Sequence, residues 1–325
     1  MRTEQRALCI ERELAQVKKL IEQQLALSAK TEVVSRLLEI FHCRCGKMLR
    51  PGLVLLSGSA CGKISDEHIL VAAVLELIHN ATLLHDDVVD NGQKRRGKPT
   101  LNVLCGNESA VLLGDFLLSR VFSMCVDLRP DVIKVIADTT ARVCEGELNQ
   151  IAHRRNQQLS ESEYIGIITE KSASLFSCCC YLGAILSSAE EKQARLLAQF
   201  GLNIGIAFQI MDDLLDIIGD EDKTGKTLGT DADRNKPTLA VIHLLNAVEE
   251  SEKSLVSDSL TKPVRNKKLL RQLFNQYHSI EYAQSRAVEF SDKAVSQLAG
   301  LSDSPGKTAL IELADFIVTG TAQKS

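Results

Sequence analysis

Leu77-Ile78-His79-Asn80-Ala81-Thr82-Leu83-Leu84-His85-Asp86-Asp87-Val88-Val89-Asp90 carries an apolar, helix-patterned stretch straight into three aspartates. A second apolar stretch repeats the design with Asp212-Asp213-Leu214-Leu215-Asp216. Asp-Asp-x-x-Asp sets carboxylates at i, i+1 and i+4, crowding one side and one end of a helix. Carboxylates so placed repel one another and resist leaving water. An isolated triplet reads as a solvated helix end. Two identical triplets in apolar helices read as the halves of a cation site that grips an anion.

Around those stretches, apolar residues recur at helical spacing along most of the chain. The pattern predicts an amphipathic helix over 5–28 and a buried helix, apolar nearly all round, over 66–89. Further helices are predicted over 107–127, 131–153, 161–187 and 194–218. The last third adds 236–249, 264–275, 279–299 and 305–318. Ser160-x-x-Glu163 is a capping box. Ser304-Pro305 reads as an N-cap followed by proline at the first helical position. No period-2 run stands out as a strand, and no Gly/Ser/Pro-rich boundary divides the chain. The expectation is one all-α domain over 1–325, a bundle of antiparallel helices around a central cavity. Its N-terminal amphipathic helix lies within 1–30. In such a bundle the two triplets can face each other across the core, where helical proteins build cofactor sites.

The 325 residues are 45% hydrophobic and 25% charged, a globular composition, and the net charge of -4 gives no basic field for nucleic acid. The most apolar run, Ile69 to Leu84, is broken by Glu76, His79 and Asn80, so no bilayer span or membrane anchor is expected. The charged start Met1-Arg2-Thr3-Glu4-Gln5-Arg6 lacks a signal-peptide core, which points to a cytoplasmic protein. The 10 cysteines cluster only as Cys43-x-Cys45 and Cys178-Cys179-Cys180, poor spacings for zinc or for a disulfide framework. They read as reduced thiols serving as small hydrophobes.

Basic turns flank the acidic ones. Asn91-Gly92-Gln93-Lys94-Arg95-Arg96-Gly97-Lys98-Pro99 follows the first triplet, and Gly219 to Lys226 follows the second. A third basic turn is Cys45-Gly46-Lys47-Met48-Leu49-Arg50-Pro51. Carboxylates hold Mg²⁺, a hard ion that takes one or two of them and keeps waters or phosphate oxygens. Arg forks and Lys point charges neutralise the rest of a phosphate. The constellation therefore describes a metal–phosphate site.

The motifs in order resemble the trans-prenyl diphosphate synthases of the polyprenyl synthetase family. The resemblance runs from about residue 40 to the C-terminus. It includes Gly46-Lys47-x-x-Arg50-Pro51, both triplets, Arg95-Arg96-Gly97, Gly114-Asp115, Gly146-Glu147-x-x-Gln150, Lys171-Ser172-Ala173-x-Leu175-Phe176, Phe208-Gln209 and Gly225-Lys226. It implies the type I isoprenoid synthase fold and a prenyltransferase that adds isopentenyl diphosphate head-to-tail to an allylic diphosphate, farnesyl diphosphate in first place.

Residue roles follow from the same resemblance. Asp86, Asp90 and Asp212 match direct ligands of a cluster of about three Mg²⁺. Asp87, Asp213 and Asp216 match ligands acting directly or through metal-bound water. Arg95, Lys171, Lys226 and Lys236 match residues that hold the allylic diphosphate. Lys47, Arg50, His79 and Arg96 match the isopentenyl diphosphate pocket. Ser172 and Gln209 face the developing cation. His85 reads as structural, and Glu147 and Gln150 read equally as site or core residues. Cys45, Met48, Ser172 (for Thr) and Asn235-Lys236-Pro237 depart from the commonest family pattern, yet none removes a charge the chemistry needs.

In this family the product tail grows beside the helix of the first triplet, so Ala81, Thr82 and Ile78 are chain-length candidates. The small Ala81 leaves no aromatic plug. The run from Thr82 to Asp90 is most similar to long-chain, octaprenyl-type synthases that make quinone side chains, with a geranylgeranyl or farnesyl end point as alternative. A homodimer is implied as well. A terpene cyclase would carry a different second metal motif, and an HD-type phosphohydrolase built on His85-Asp86 would leave the second triplet unexplained. A non-catalytic partner subunit would have lost the acidic motifs.

Overall fold

The computed structural model describes residues 9–42, 46, 48–95, 97–154, 156–218, 236–261 and 263–322. The buried helix expected over 66–89 forms over Asp66–Val89, as the fourth helix of the described residues. Before it come α1 (Glu11–Ser28), α2 (Glu32–His42) and α3 (Leu49–Cys61), so the buried one is α4. His68 closes its first turn. Its Nδ1 accepts from Ser65 N–H at 3.1 Å, while Nε2 lies 3.1 Å from Gly183 O and 3.0 Å from Ser187 Oγ. Those partners suit a neutral imidazole that accepts at Nδ1 and donates at Nε2.

After α4 the chain forms a hairpin of two-residue strands, β1 (Lys94–Arg95) and β2 (Lys98–Pro99), paired antiparallel. Strands that short cannot display a period of two, so the sequence shows no sign of them. Then follow α5 (Leu101–Cys105), α6 (Asn107–Cys125), α7 (Pro130–Ala152) and α8 (Glu161–Ile168). A five-residue π-helical segment, Thr169–Ala173, joins α8 to α9 (Ser174–Leu186). The sequence pattern predicts one continuous helix there. α10 (Glu191–Ile218) carries the second triplet, and α11 (Leu239–Ala247), α12 (Glu250–Thr261), α13 (Pro263–Gln276), α14 (Ser279–Gln297) and α15 (Pro305–Ala322) complete the described chain. Both expected caps form: Glu163 N–H donates to Ser160 Oγ at 3.3 Å, and Lys307 N–H to Ser304 Oγ at 3.2 Å.

Two packed groups build the core. α4 lies against α1, α3 and α6, and α10 lies against α9 and α14. The contact of α3 with α9 joins them. It is close because Gly183 has no side chain: a Cβ there would sit 2.2 Å from Val54 O. Leu53, Leu55, Leu75, Leu77, Phe176, Leu182, Leu197 and Phe200 are fully enclosed between these helices. The two triplet-bearing helices are thus tied to one hydrophobic core.

The expectation that no segment is apolar enough to span a bilayer needs correction. Residues 66–89 and 191–217 are long and apolar enough by length and composition. Both are mostly buried against other helices, which accounts for their hydropathy. All eight described cysteines are free thiols. Cys125, Cys178, Cys179 and Cys180 are buried as expected, and burial pushes Cys178 and Cys180 up to about 12. Cys9 and Cys144 are exposed. Cys43 and Cys45 lie outside the described residues.

Candidate active site

The last turn of α4 presents Asp86 and Asp87, and Asp90 is the residue that ends the helix. Asp87 is buried. The hairpin after α4 returns Arg95 onto it, with Nε at 2.9 Å and Nη2 at 2.8 Å from Asp87 Oδ1. Gly92 N–H donates to Asp87 O at 2.8 Å, which fixes that return. Asp90 Oδ1 accepts from Arg154 Nη2 at 2.6 Å.

The second triplet has the same plan. Its middle member, Asp213, is buried. Tyr164 OH donates to Asp213 Oδ2 at 2.7 Å, and Gln209 Nε2 donates to Asp213 Oδ1 at 2.8 Å. Gln209 Oε1 accepts from Ser172 Oγ at 2.6 Å. Each triplet therefore buries its middle aspartate on protein donors, while the outer members Asp86, Asp90, Asp212 and Asp216 stay partly exposed.

Lys171 and Ser172 stand in the π-helical segment, a distortion common at functional sites. Lys171 Nζ pairs with Glu147 and donates to Gln150 Oε1 at 2.7 Å. The approach depends on Gly146, where a Cβ would lie 2.3 Å from Lys171 N and 2.7 Å from its Cα. Glu147 and Gln150 thus both contact Lys171, and Gln150 is itself buried.

One electrostatic field spans the two triplets. Burial first, and then the charges of Glu147 and Asp90, push the Asp86 carboxyl up to about 6, against the pull of Lys171 and Arg95. Burial opposes the Arg95 charge, but the bond to Asp87 and the charges of Asp87, Asp86 and Asp212 raise its pKa overall. Arg95 therefore feels aspartates of both helices, and Asp86 feels Lys171 of the π-helical segment, which packs against α10.

The remaining candidates divide. His79, Thr82, Asp86 and Asp90 recur on one face of α4 and are partly exposed there. Thr82 Oγ1 donates to His79 O at 2.8 Å. Ala81 and Ile78 are enclosed on the adjoining face, which also carries His85. His85 Nε2 lies 3.2 Å from Val111 O and 3.3 Å from Asp115 Oδ1, so it ties α4 to α6 as a structural residue would. Arg50 stacks over the Phe176 ring at 5.1 Å, and Phe176 packs on Phe208 with ring centroids 5.3 Å apart. Lys236 is partly buried just before α11. Lys47, Arg96 and Lys226 lie outside the described residues. The sequence reading missed Tyr164 and Arg154. Tyr164 has no neighbour in sequence that marks it, and Arg154 reads as an ordinary basic residue after a helix end.

Among the described residues no three carboxylate, imidazole or thiolate groups form a ready-made chelate. Mg²⁺ takes only one or two carboxylates and fills its octahedron with water and phosphate oxygens, so partly exposed carboxylates suit it. The all-oxygen donor set and the raised Asp86 both fit a site completed by hard cations.

The profile of the polyprenyl synthetase family matches residues 31–277. The chain belongs to that family. It is 35% identical over 277 residues to the octaprenyl diphosphate synthase of Escherichia coli, covering 84% of this chain and 85% of that one. It is 33% identical over 285 residues to the geranylgeranyl diphosphate synthase of Saccharolobus solfataricus, covering 84% and 86%. Among solved structures, the Caulobacter crescentus polyprenyl synthase complexed with calcium and isoprenyl diphosphate superposes with a TM-score of 0.92 at 30% identity, covering 97% of each chain. The fold is the all-α isoprenoid synthase fold, and the polyprenyl synthetase is a prenyltransferase of the trans-prenyl diphosphate synthase type.

Proposed function

We propose that this polyprenyl synthetase, one domain over 1–325, condenses isopentenyl diphosphate head-to-tail with an allylic diphosphate, primarily farnesyl diphosphate, in a Mg²⁺-dependent reaction. The product is a long-chain all-trans polyprenyl diphosphate of octaprenyl type. The observation that carries the reading is the repeated plan of the two triplets, each with its middle aspartate buried on protein donors and its outer aspartates partly exposed.

Asp86, Asp90 and Asp212 would hold about three Mg²⁺, and Asp87, Asp213 and Asp216 would act directly or through metal-bound water. When bound, the ions take up negative charge that builds on the departing diphosphate. Arg95, Lys171, Lys226 and Lys236 orient that diphosphate. Lys47, Arg50, His79 and Arg96 hold isopentenyl diphosphate, and the stacking of Arg50 on Phe176 sets its fork. Lys171 leaves Glu147 for phosphate oxygens as substrate enters. The Ser172–Gln209 pair faces the allylic carbon as its C–O bond breaks, and apolar walls keep reactive water from the resulting cation. The isopentenyl double bond attacks that cation, a C–C bond forms, and a proton leaves to the released diphosphate.

The tail runs along α4 past Thr82, with Ala81 and Ile78 setting how deep it goes. The absence of bulk at Ala81 and the similarity to an octaprenyl synthase favour a long product. A homodimer fits the exposed apolar side chains Leu112, Phe122 and Val126 along α6 and its end, with Leu148 on α7. The test is incubation with farnesyl diphosphate, labelled isopentenyl diphosphate and Mg²⁺, followed by product sizing. No elongation overturns the reaction, and an end point at the geranylgeranyl length overturns only the long product. Asp86→Ala and Asp212→Ala each lower turnover by about two orders of magnitude or more with the fold intact. Near-normal turnover in either removes the metal assignment.

A further inference from the structure

Arg154 stands two residues past the end of α7, where its N–H donates to Ile151 O at 3.2 Å. From there its side chain crosses to the end of α4 and donates to Asp90 Oδ1 through Nη2 at 2.6 Å. The side chains of Arg154 and Asp90 are 24% and 13% exposed. The pair joins the C-terminal ends of two helices, where the helix dipoles concentrate negative charge and a cation is favoured. Arg154 Nε is buried and has no hydrogen-bond partner.

Arg95 offers a contrast. It directs both Nε and Nη2 at Asp87 Oδ1 and so donates through two nitrogens. Arg154 commits one nitrogen and leaves a buried donor unmatched, an arrangement that costs stabilisation and that a second acceptor would relieve. Its partner is also the outer carboxylate that the metal–diphosphate reading assigns to an ion. A guanidinium and a divalent cation on one carboxylate repel each other. The fork that fits a carboxylate fits a phosphate equally well.

We propose that Arg154 is a further diphosphate-binding residue that works by exchange. It neutralises Asp90 while the site lacks metal. When metal and diphosphate arrive, Asp90 turns to the metal and the Arg154 fork, with its unmatched Nε, turns to diphosphate oxygens. The inference rests on the reading of the triplets as a metal–diphosphate site.

Calorimetric titration of the full chain tests it, first with Mn²⁺ or Mg²⁺ alone and then with Mg²⁺ plus inorganic diphosphate. In Arg154→Gln, the metal alone binds as tightly as in wild type or up to about threefold tighter, because a competing cation has left Asp90. Mg²⁺–diphosphate binds about tenfold more weakly, the loss expected for a charge-assisted bond. Arg154→Lys keeps the charge without the fork and falls between the two. Equal diphosphate affinity in R154Q overturns the proposal. So does a loss of affinity for metal alone matching the loss for Mg²⁺–diphosphate, which would make Arg154 a mere orienter of Asp90. Failure of the wild type to bind Mg²⁺–diphosphate at all, by contrast, overturns the underlying reading.

Discussion

The Tyr164 hydroxyl donates to Asp213 Oδ2 at 2.7 Å, and both residues are buried. A neutral donor fixes the direction of a carboxylate without cancelling its charge. With Gln209 on the other oxygen, Asp213 becomes the anchor of its triplet. Asp87 is anchored by a different means, since Arg95 supplies a full positive charge. The two middle aspartates are thus buried alike and held by different kinds of donor.

Tyr164→Phe removes the donor and leaves Asp213 Oδ2 in a buried place without it. Urea unfolding should show a loss on the order of 1–3 kcal/mol, the range for hydrogen bonds to charged groups. Turnover should fall about tenfold as the triplet loosens. Lost stability with unchanged turnover would mean that Gln209 alone holds Asp213 in place.

What the sequence made legible was local. Asp86, Asp87 and Asp90 lie within five residues, and the helix beneath them runs over 66–89 as its periodicity requires. Tyr164 reaches Asp213 across 49 residues and Arg154 reaches Asp90 across 64, so no spacing rule could pair them. The π-helical turn at Lys171 was hidden for another reason. Its wider turn reflects packing against Gly146 and leaves no local composition signal. Helices α2, α3, α5 and α12 were missed too. α2, α5 and α12 are short, and α3 carries Pro51 in its first turn with Gly52 and Gly58 inside, residues that usually argue against a helix.

His68 gives a pH dependence remote from the triplets. Burial lowers its pKa below the ordinary histidine value, against the opposing pull of Gly183 O. As pH falls through about 6.5, the unfolded chain takes up a proton that the native imidazole refuses, so stability drops. The contribution is present in full above that value and is lost toward the depressed folded one. His68→Asn should be less stable at pH 8 yet lack this increment of acid sensitivity. Urea midpoints from about pH 8 to 5.5 measure it, and equal pH slopes would mean that His68 charges within the fold.

Gly146→Ala probes the contact on which Lys171 depends. The added Cβ would meet Lys171 N at 2.3 Å, Lys171 Cα at 2.7 Å and Glu170 C at 2.8 Å. All three are backbone atoms, so no rotamer change relieves the clash, and α7 must move away from the π-helical segment. Overpacking of this kind costs about 1–3 kcal/mol or more. Glu147 and Gln150 ride on α7, so the same displacement pulls them from Lys171. Turnover should fall further than stability alone would explain. Gly166→Ala is the control: on α8 a Cβ meets nothing within 4 Å, and the change should stabilise by about 0.5–1 kcal/mol through helix propensity. Wild-type turnover and melting in Gly146→Ala would show that the segment yields, and that the position of Lys171 does not depend on the close approach of α7.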